Sequence, residues 1–239
     1  MKRITAINKL LNLEYTNADN VWLTDQQTLR RLIGILGMLL PILLFLFLYI
    51  DSRCIIVMPS ISHYYYTRAC GVLIIIISML AVFLLIYKGK APLDFYLSSF
   101  AGIGALSLLL FPTDNLINYD HAGQYALSCL RESNFRVTLH YISATIFLGS
   151  LASMSLWLFT RSNKPKSKRT ANKNIRNIIY WVCGIIMVLA MLVAFIGGKL
   201  GKINPTYYIS HNITYWMEII ALEFFGISWL VKGEVVLKD

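Results

Sequence analysis

The sequence has 239 residues, of which 57% are hydrophobic and only 14% charged, and its net charge is +10. Roughly a quarter of the residues in an ordinary soluble domain are charged, so this composition excludes an ordinary soluble protein. The positive charge lies mainly in the segments on one side of the apolar runs, which is a membrane-orientation pattern and excludes a nucleic-acid-binding footprint.

The first 24 residues precede the apolar runs and are interpreted as a cytoplasmic or interfacial segment. Ile4, Ile7 and Leu10 recur at helical spacing beside Lys9, which indicates either a short helix on the inner leaflet or a disordered tail. The segment Thr24–Gln27 has the spacing of a capping box. The first membrane helix is therefore predicted to begin near residue 25.

Six apolar runs follow in chain order, and each is close to the roughly 20 residues that cross a bilayer as a helix. Backbone groups in lipid need internal hydrogen-bond partners, so the runs are predicted to be helices. The predicted helices cover residues 25–50, 67–87, 94–111, 137–160, 177–197 and 212–231. The sequence thus predicts an all-α, polytopic bundle over residues 25–231, with a cytoplasmic tail at 232–239.

Lysine and arginine set the predicted orientation. With the N-terminus inside, the inner segments hold sixteen of the 22 basic residues and the outer segments hold six. Seven of the sixteen lie in the single segment 161–176. By the positive-inside rule, both termini face the cytoplasm, and we expect a multi-pass protein of a bacterial cytoplasmic (inner) membrane.

The segment between the first two helices contains the run Tyr64–Tyr66. Consecutive tyrosines at a membrane boundary are typical of an aromatic belt. The alternative is a loop that folds over a cavity, with Pro59 rigid and His63 pointing inward. Cys54 and Cys129 both fall on the outer, oxidising side, where a disulfide between them is a further possibility.

Polar residues inside the last and fourth helices are the best candidates for a site. Glu218 and Glu223 fall within the last apolar run, where a carboxylate is costly unless it faces protein or water. His211 shares a helical face with Glu218, and the fourth helix carries a second polar stripe that includes His140. The candidate pocket residues are His140, Glu218, His211, His63, Ser143 and Glu223.

Two interpretations of these residues stay open. They line an outward-facing polar pocket, or they form a buried polar pair that fixes helix packing. The histidines lack the tight spacing of a zinc site, so no metal and no cofactor is predicted, with metal binding kept as a weaker alternative.

Several segments carry a resemblance to known proteins. Residues 60–67, 110–113 and 225–233, together with Leu139-His140, resemble a set of uncharacterised bacterial six-helix membrane proteins, which bring no activity with them. The segment Pro59–Ser62 and the Leu-His pair are also similar to the DRAM-like six-helix superfamily. That superfamily includes eukaryotic proteins linked to the handling of lipids and GPI anchors. The seven-helix zinc hydrolases are a poorer match, because their HxxxH pair and seventh helix are missing.

The expected function is binding or sensing of a lipid or other amphipathic small molecule in the outward-facing pocket, without catalysis. One alternative is a lipid-modifying hydrolase or transferase, which requires a metal or a nucleophile within hydrogen-bond reach of His140. Another is a proton-coupled transporter, which requires a polar path past Glu223. Membrane lipids are the expected partners, nucleic acid is not, and the oligomeric state is left open.

Overall fold

A computed structural model describes residues 25–89, 91–162, 165 and 170–237. Within those residues the chain is all-α and contains no strand. Its six long helices are α1 (Gln26–Ser52), α2 (Cys70–Ile86), α3 (Pro92–Leu110), α4 (Asn134–Ser153), α5 (Ala171–Ala194) and α6 (Ile213–Lys232). The helices α4 and α5 each continue through a π-helical turn, Met154–Leu158 and Phe195–Lys199.

Five of these helices are long and apolar enough to cross a membrane, α4 and α5 being counted with their π-helical turns. The exception is α2, which is apolar but has only 17 residues. Three predicted segments lie wholly or partly outside the described residues: the N-terminal segment 1–24, the basic segment near 163–169 and the last two residues of the tail, 238–239. The predictions made for those residues therefore lie outside the described structure as well.

Short polar side chains start several of the helices. The Asp25 carboxylate accepts a hydrogen bond from the Thr28 backbone N–H at 2.8 Å and caps α1. The predicted capping box instead assigned this role to the pair Thr24 and Gln27. The Gln27 side chain instead donates to Glu234 at 3.0 Å. At the start of α3, Asp94 accepts from the Ala91 N–H, and Pro92 occupies the first turn, where its missing N–H costs nothing.

The six long helices form a ring in chain order, in which each helix packs on its neighbours and α6 closes on α1. Glycines allow the backbones to approach closely at these interfaces. A Cβ atom added to Gly34 of α1 would lie 2.9 Å from the carbonyl oxygen of Gly226 of α6. One added to Gly104 of α3 would lie 2.8 Å from the backbone nitrogen of Phe147 in α4.

The connections sort to the two ends of the ring. At one end, here called the loop end, the connections 53–69, 111–133 and 200–212 meet. Tyr66 there donates a hydrogen bond to the Thr113 carbonyl at 2.7 Å, and the Leu127 N–H donates to the Tyr66 carbonyl at 2.8 Å. Burial raises the pKa of Tyr66 to about 12.

The opposite end, here called the arginine end, holds the starts of α1, α3 and α5. It is named for three buried arginines, Arg30, Arg31 and Arg176. Arg31 donates to the Gly233 carbonyl at 2.8 Å, and Arg30 donates to the Tyr87 hydroxyl at 3.2 Å. These two contacts join the start of α1 to the ends of α6 and α2.

The segment after α1 forms a 3₁₀ helix, Ile61–Tyr66, that folds inward at the loop end. Tyr64 and Tyr66 are fully buried, so the interpretation of the tyrosine run as a lipid-facing belt is wrong for these two residues. Ser60 caps the 3₁₀ helix by accepting a hydrogen bond from the His63 N–H.

Candidate functional site

A cavity of about 170 Å³ opens at the loop end. Its walls come from the 3₁₀ helix and the residues just before it, the first half of the α3–α4 connection, α4, the end of α5, the α5–α6 connection and α6. The polar side chains among the described lining residues are Ser60, His63, Thr113, Asp114, Tyr119, His140, Tyr141, Tyr208, Asn212, Thr214 and Glu218. Residues distant in the sequence therefore line one polar space.

His140 lies on α4 and is 4% exposed. Its Nδ1 atom is 2.9 Å from the Phe111 carbonyl oxygen, at the end of α3. A carbonyl oxygen can only accept, so Nδ1 carries the hydrogen, and Nε2 of the neutral ring is left as an acceptor. The contact fixes the ring between α3 and α4, with His140 among the lining residues of the cavity.

Glu218 lies on α6 and holds the 3₁₀ helix in place. Its Oε2 atom accepts a hydrogen bond from the Ile61 N–H at 2.5 Å. The first N–H groups of a helix lack partners within that helix, and a carboxylate is a strong acceptor for them. The Glu218 carboxylate thus satisfies a free N–H at the start of the 3₁₀ helix, which contributes residues to the cavity wall.

Ser60, His63 and Asp114 form a second polar group on the same cavity. The Ser60 Oγ atom is 2.7 Å from His63 Nδ1, and His63 Nε2 is 3.7 Å from Asp114 Oδ1. The hydroxyl groups of Thr113 and Tyr119 donate to the two oxygens of Asp114, both at 2.8 Å. The ring of Tyr119 also packs edge-on against His63, with centroids 4.8 Å apart.

The environment of Asp114 keeps this carboxyl group charged. Burial alone would raise its pKa, but the neighbouring His63 and the hydrogen bonds from Thr113 and Tyr119 outweigh burial and hold the pKa well below its usual range. Burial, together with the charge of Asp114, in turn raises the pKa of Tyr119. Tyr119 therefore stays a hydroxyl donor to the carboxylate.

Two smaller cavities, of about 70 and 90 Å³, adjoin the polar one and are mainly apolar. The first is lined by residues of α1, α2, α3, α4 and α6, including Leu40 and Phe147, and the second lies among α4, α5 and α6. His140 and Glu218 line all three cavities. The polar space is therefore bordered by apolar space at these two residues.

The remaining candidates from the sequence lie apart from this group. His211 is exposed in the α5–α6 connection, where its ring stacks on Tyr207 with centroids 4.0 Å apart. Ser143 is buried where α4 meets Gly104 of α3 and lines none of the three cavities. Glu223 is partly buried further along α6, and it too is absent from all three linings.

Cys54 and Cys129 carry free thiols. Cys54 is buried, with its Sγ atom 3.4 Å from the Ile56 carbonyl oxygen, whereas Cys129 is exposed. The two side chains therefore lie in different environments at the loop end.

A histidine with a neighbouring nucleophile does exist, but it is His63 and not the expected His140. The hydroxyl of Ser60 lies within hydrogen-bond reach of His63, whereas the partner of His140 is the Phe111 carbonyl. Sequence reasoning missed Ser60 and Asp114 as members of this group. The Ser-x-x-His spacing of Ser60 and His63 was the one available signal, since it places the two side chains on neighbouring turns.

No family model, curated protein or solved structure matches this chain. The similarity to the DRAM-like superfamily therefore stays a prediction, and the site must be interpreted from its own geometry. Among the described residues, no group of three or more His, Cys, Asp or Glu side chains is placed to hold a metal ion.

Proposed function

We propose that this protein is a six-span protein of a bacterial cytoplasmic membrane, with the loop end outward and both termini inside. The apolar surface of α2 supports the sixth crossing. Its exposed side chains include Ile74, Ile75, Met79 and Val82, so both its buried and its outward faces are apolar, and the helix carries no charged residue. Its 17 residues extend about 26 Å, at the lower limit for a crossing.

The proposed function is binding of an amphipathic small molecule, such as a lipid, without chemistry. The observation that carries it is the meeting of one polar and two apolar cavities at His140 and Glu218. A polar headgroup placed in the outer cavity would have apolar space directly adjoining it for a hydrocarbon chain. Sites of this kind combine apolar walls with a few polar groups that fix the orientation of the ligand.

The other expected functions have less support. Proton-coupled transport requires a path past Glu223, but this residue does not line any of the three cavities. A purely structural role for His140 and Glu218 accounts for their hydrogen bonds to backbone groups. It does not account for the three cavities that both residues line.

Native mass spectrometry of the protein extracted from its own membrane tests the binding function. Ala144 lines both apolar cavities, so Ala144→Phe fills the space that we assign to the hydrocarbon chain. We expect the wild-type protein to retain a bound amphiphile, and Ala144→Phe to lose most of it. The matched control is Ile146→Phe on the outward face of α4, where the side chain is 41% exposed.

Binding that is absent from the wild-type protein, or that is equally strong in Ala144→Phe, would contradict the proposed function. Loss of the amphiphile in Ile146→Phe as well would indicate a general effect of the added ring on α4. That result would also contradict the proposed function.

A second candidate function is hydrolysis of an ester bond in such a ligand, supported by the distances within Ser60, His63 and Asp114. His63 would take the Ser60 proton as Oγ bonds to the acyl carbon, and would return it to the departing alcohol oxygen as the ester bond breaks. A water molecule from the outer side would then attack the acyl carbon while His63 takes its proton. The bond to Ser60 Oγ would break, His63 would return the proton to Oγ, and the acid would be released. Asp114 would stabilise the charged His63.

A fluorophosphonate probe, which reacts with activated serines, tests this second candidate. We expect labelling at Ser60 that is abolished in Ser60→Ala and slowed about a hundredfold or more in His63→Asn, because the general base is lost. Ser62→Ala is the matched control, since Ser62 neighbours Ser60 but lines the apolar cavity. An unlabelled wild-type protein, or label on Ser62, would refute this candidate and leave the binding function untouched.

A further inference from the structure

We infer that the bound amphiphile carries a cationic ammonium headgroup, which the outer cavity receives between the carboxylates of Asp114 and Glu218 and the surrounding tyrosines. The inference rests on the proposed binding function and names the chemical class of its ligand.

The first step is the charge of the cavity walls. Asp114 and Glu218 both line the cavity, and its described lining residues include no lysine or arginine. Arg136 lies nearby, but its three nitrogens donate to the backbone carbonyls of Pro112, Arg131 and Thr113. A phosphate or carboxylate headgroup would meet the charge of Asp114 and a second carboxyl group, that of Glu218, with no lysine or arginine among the described lining residues to neutralise it, and burial of such a group is costly.

The second step is the hydrogen-bonding capacity of the site. His140 presents Nε2 as an acceptor, because its Nδ1–H is engaged by the Phe111 carbonyl. The two carboxylates can only accept when they are charged. An ammonium group has donors and no acceptor, which is the complement of these three side chains.

The third step is the aromatic wall. Tyr119, Tyr141 and Tyr208 all line the cavity, and ring faces attract cations when the contact is shielded from water. The protein already makes one such contact at the edge of the site, where the exposed Lys199 places Nζ 4.9 Å from the ring centre of Tyr141. A ligand ammonium would meet the same chemistry further inside.

Three single-chain probes of equal chain length test the inference: dodecylamine, dodecyl phosphate and dodecyl glucoside. Each is titrated against the full-length protein in neutral detergent, and binding is followed by native mass spectrometry. We expect dodecylamine to bind about tenfold or more tightly than the other two, a ratio that corresponds to a single charged contact. We also expect Glu218→Gln and Asp114→Asn each to remove most of that preference.

Lys199→Gln is the control that removes a positive charge instead of a negative one. Removing a cation from the edge of the site should raise the affinity for the amine or leave it unchanged, whereas a site built for phosphate would lose phosphate binding in this variant. If either carboxylate variant fails to fold, the order of the three probes on the wild-type protein decides the matter alone.

The failures of the two proposals are distinguishable. Equal or tighter binding of the phosphate or the glucoside would overturn the ammonium inference and leave amphiphile binding in place. If the wild-type protein binds each of the three probes no more tightly than Ala144→Phe does, both the ammonium inference and the amphiphile-binding function are overturned.

Discussion

At the scale of single residues, a polar group within an apolar run could be recognised from the sequence, whereas chemistry that depends on loop conformation could not. Glu218 stands out because a carboxylate inside an apolar run is costly wherever the helix lies. Its actual partner is the Ile61 N–H at the start of a 3₁₀ helix. The group of Ser60, His63 and Asp114 exists only because two non-periodic connections fold against each other, and no spacing rule predicts that.

The same limit applies to the basic residues. Their count on one side predicted the orientation of the chain and not their burial, whereas Arg30, Arg31 and Arg176 are buried among the helix ends. Burial of an arginine depends on acceptors supplied by other parts of the chain, such as the Gly233 carbonyl, and these acceptors are known only once the ring has closed.

The depressed pKa of Asp114 has a consequence for stability. A carboxyl group with a lowered pKa in the folded state stabilises the fold fully above its ordinary unfolded-state pKa of about 4, and this stabilisation is lost as the pH falls further. We therefore expect Asp114→Asn to lower the free energy of unfolding at pH 7 by about 1–3 kcal/mol, since hydrogen bonds to a charged group are weakened.

Thermal unfolding in detergent between pH 7 and pH 3 measures this effect. The difference between wild-type protein and Asp114→Asn should shrink as the solution is acidified below about pH 4. Asp120→Asn, at an exposed position in the same connection, should unfold like the wild type throughout. A difference for Asp114→Asn that stays constant with pH would show that the charge of Asp114 contributes nothing.

At the scale of the elements, the structure places Gly104 of α3 directly against the backbone of α4. The contact that closes the ring was not predicted, because Gly226 is a single glycine in a long apolar run and gives no sign that it faces Gly34. Helix lengths were less predictable still. The helix α5 begins at Ala171 rather than at 177 because Thr170 caps a polar first turn that has no apolar signal.

Substitution of Gly104 tests whether the close approach of α3 and α4 is needed. A methyl group at this position would press on Phe147 and Ser143, so we expect Gly104→Ala to destabilise the protein by about 1–3 kcal/mol through overpacking. Alanine otherwise favours a helix over glycine by about 1 kcal/mol. Gly71→Ala is therefore the informative control, because a Cβ at Gly71 meets no atom within 4 Å.

Thermal unfolding in the same detergent compares the two variants. Gly71→Ala should equal or exceed the wild type in melting temperature, whereas Gly104→Ala should fall below it. A stable Gly104→Ala protein would mean that the helices can separate by the width of a methyl group at little cost.

At the scale of the whole molecule, successive helices of the ring run in opposite directions, because the connections between them alternate between its two ends. Connections 53–69, 111–133 and 200–212 share the loop end, while the α2–α3 turn lies at the arginine end, where Gln26 of α1 donates to the Gly89 carbonyl at 3.2 Å. This arrangement requires α2 to pass from one end to the other. If the bundle lies in a membrane with α1 and α3 crossing it, α2 must cross as well.

Cysteine accessibility in intact cells decides both the number of crossings and their orientation. Three variants, each with one cysteine, are compared: one that retains the exposed Cys129, one with Ile55→Cys and one with Lys88→Cys, all at exposed positions. We expect a membrane-impermeant maleimide to label Cys129 and Ile55→Cys directly, and Lys88→Cys only after permeabilisation. If Ile55→Cys and Lys88→Cys respond alike, α2 does not cross and the six-span proposal fails. If all three responses are reversed, six crossings stand, but the cavity would face the cytoplasm and its ligand would have to come from the inner leaflet.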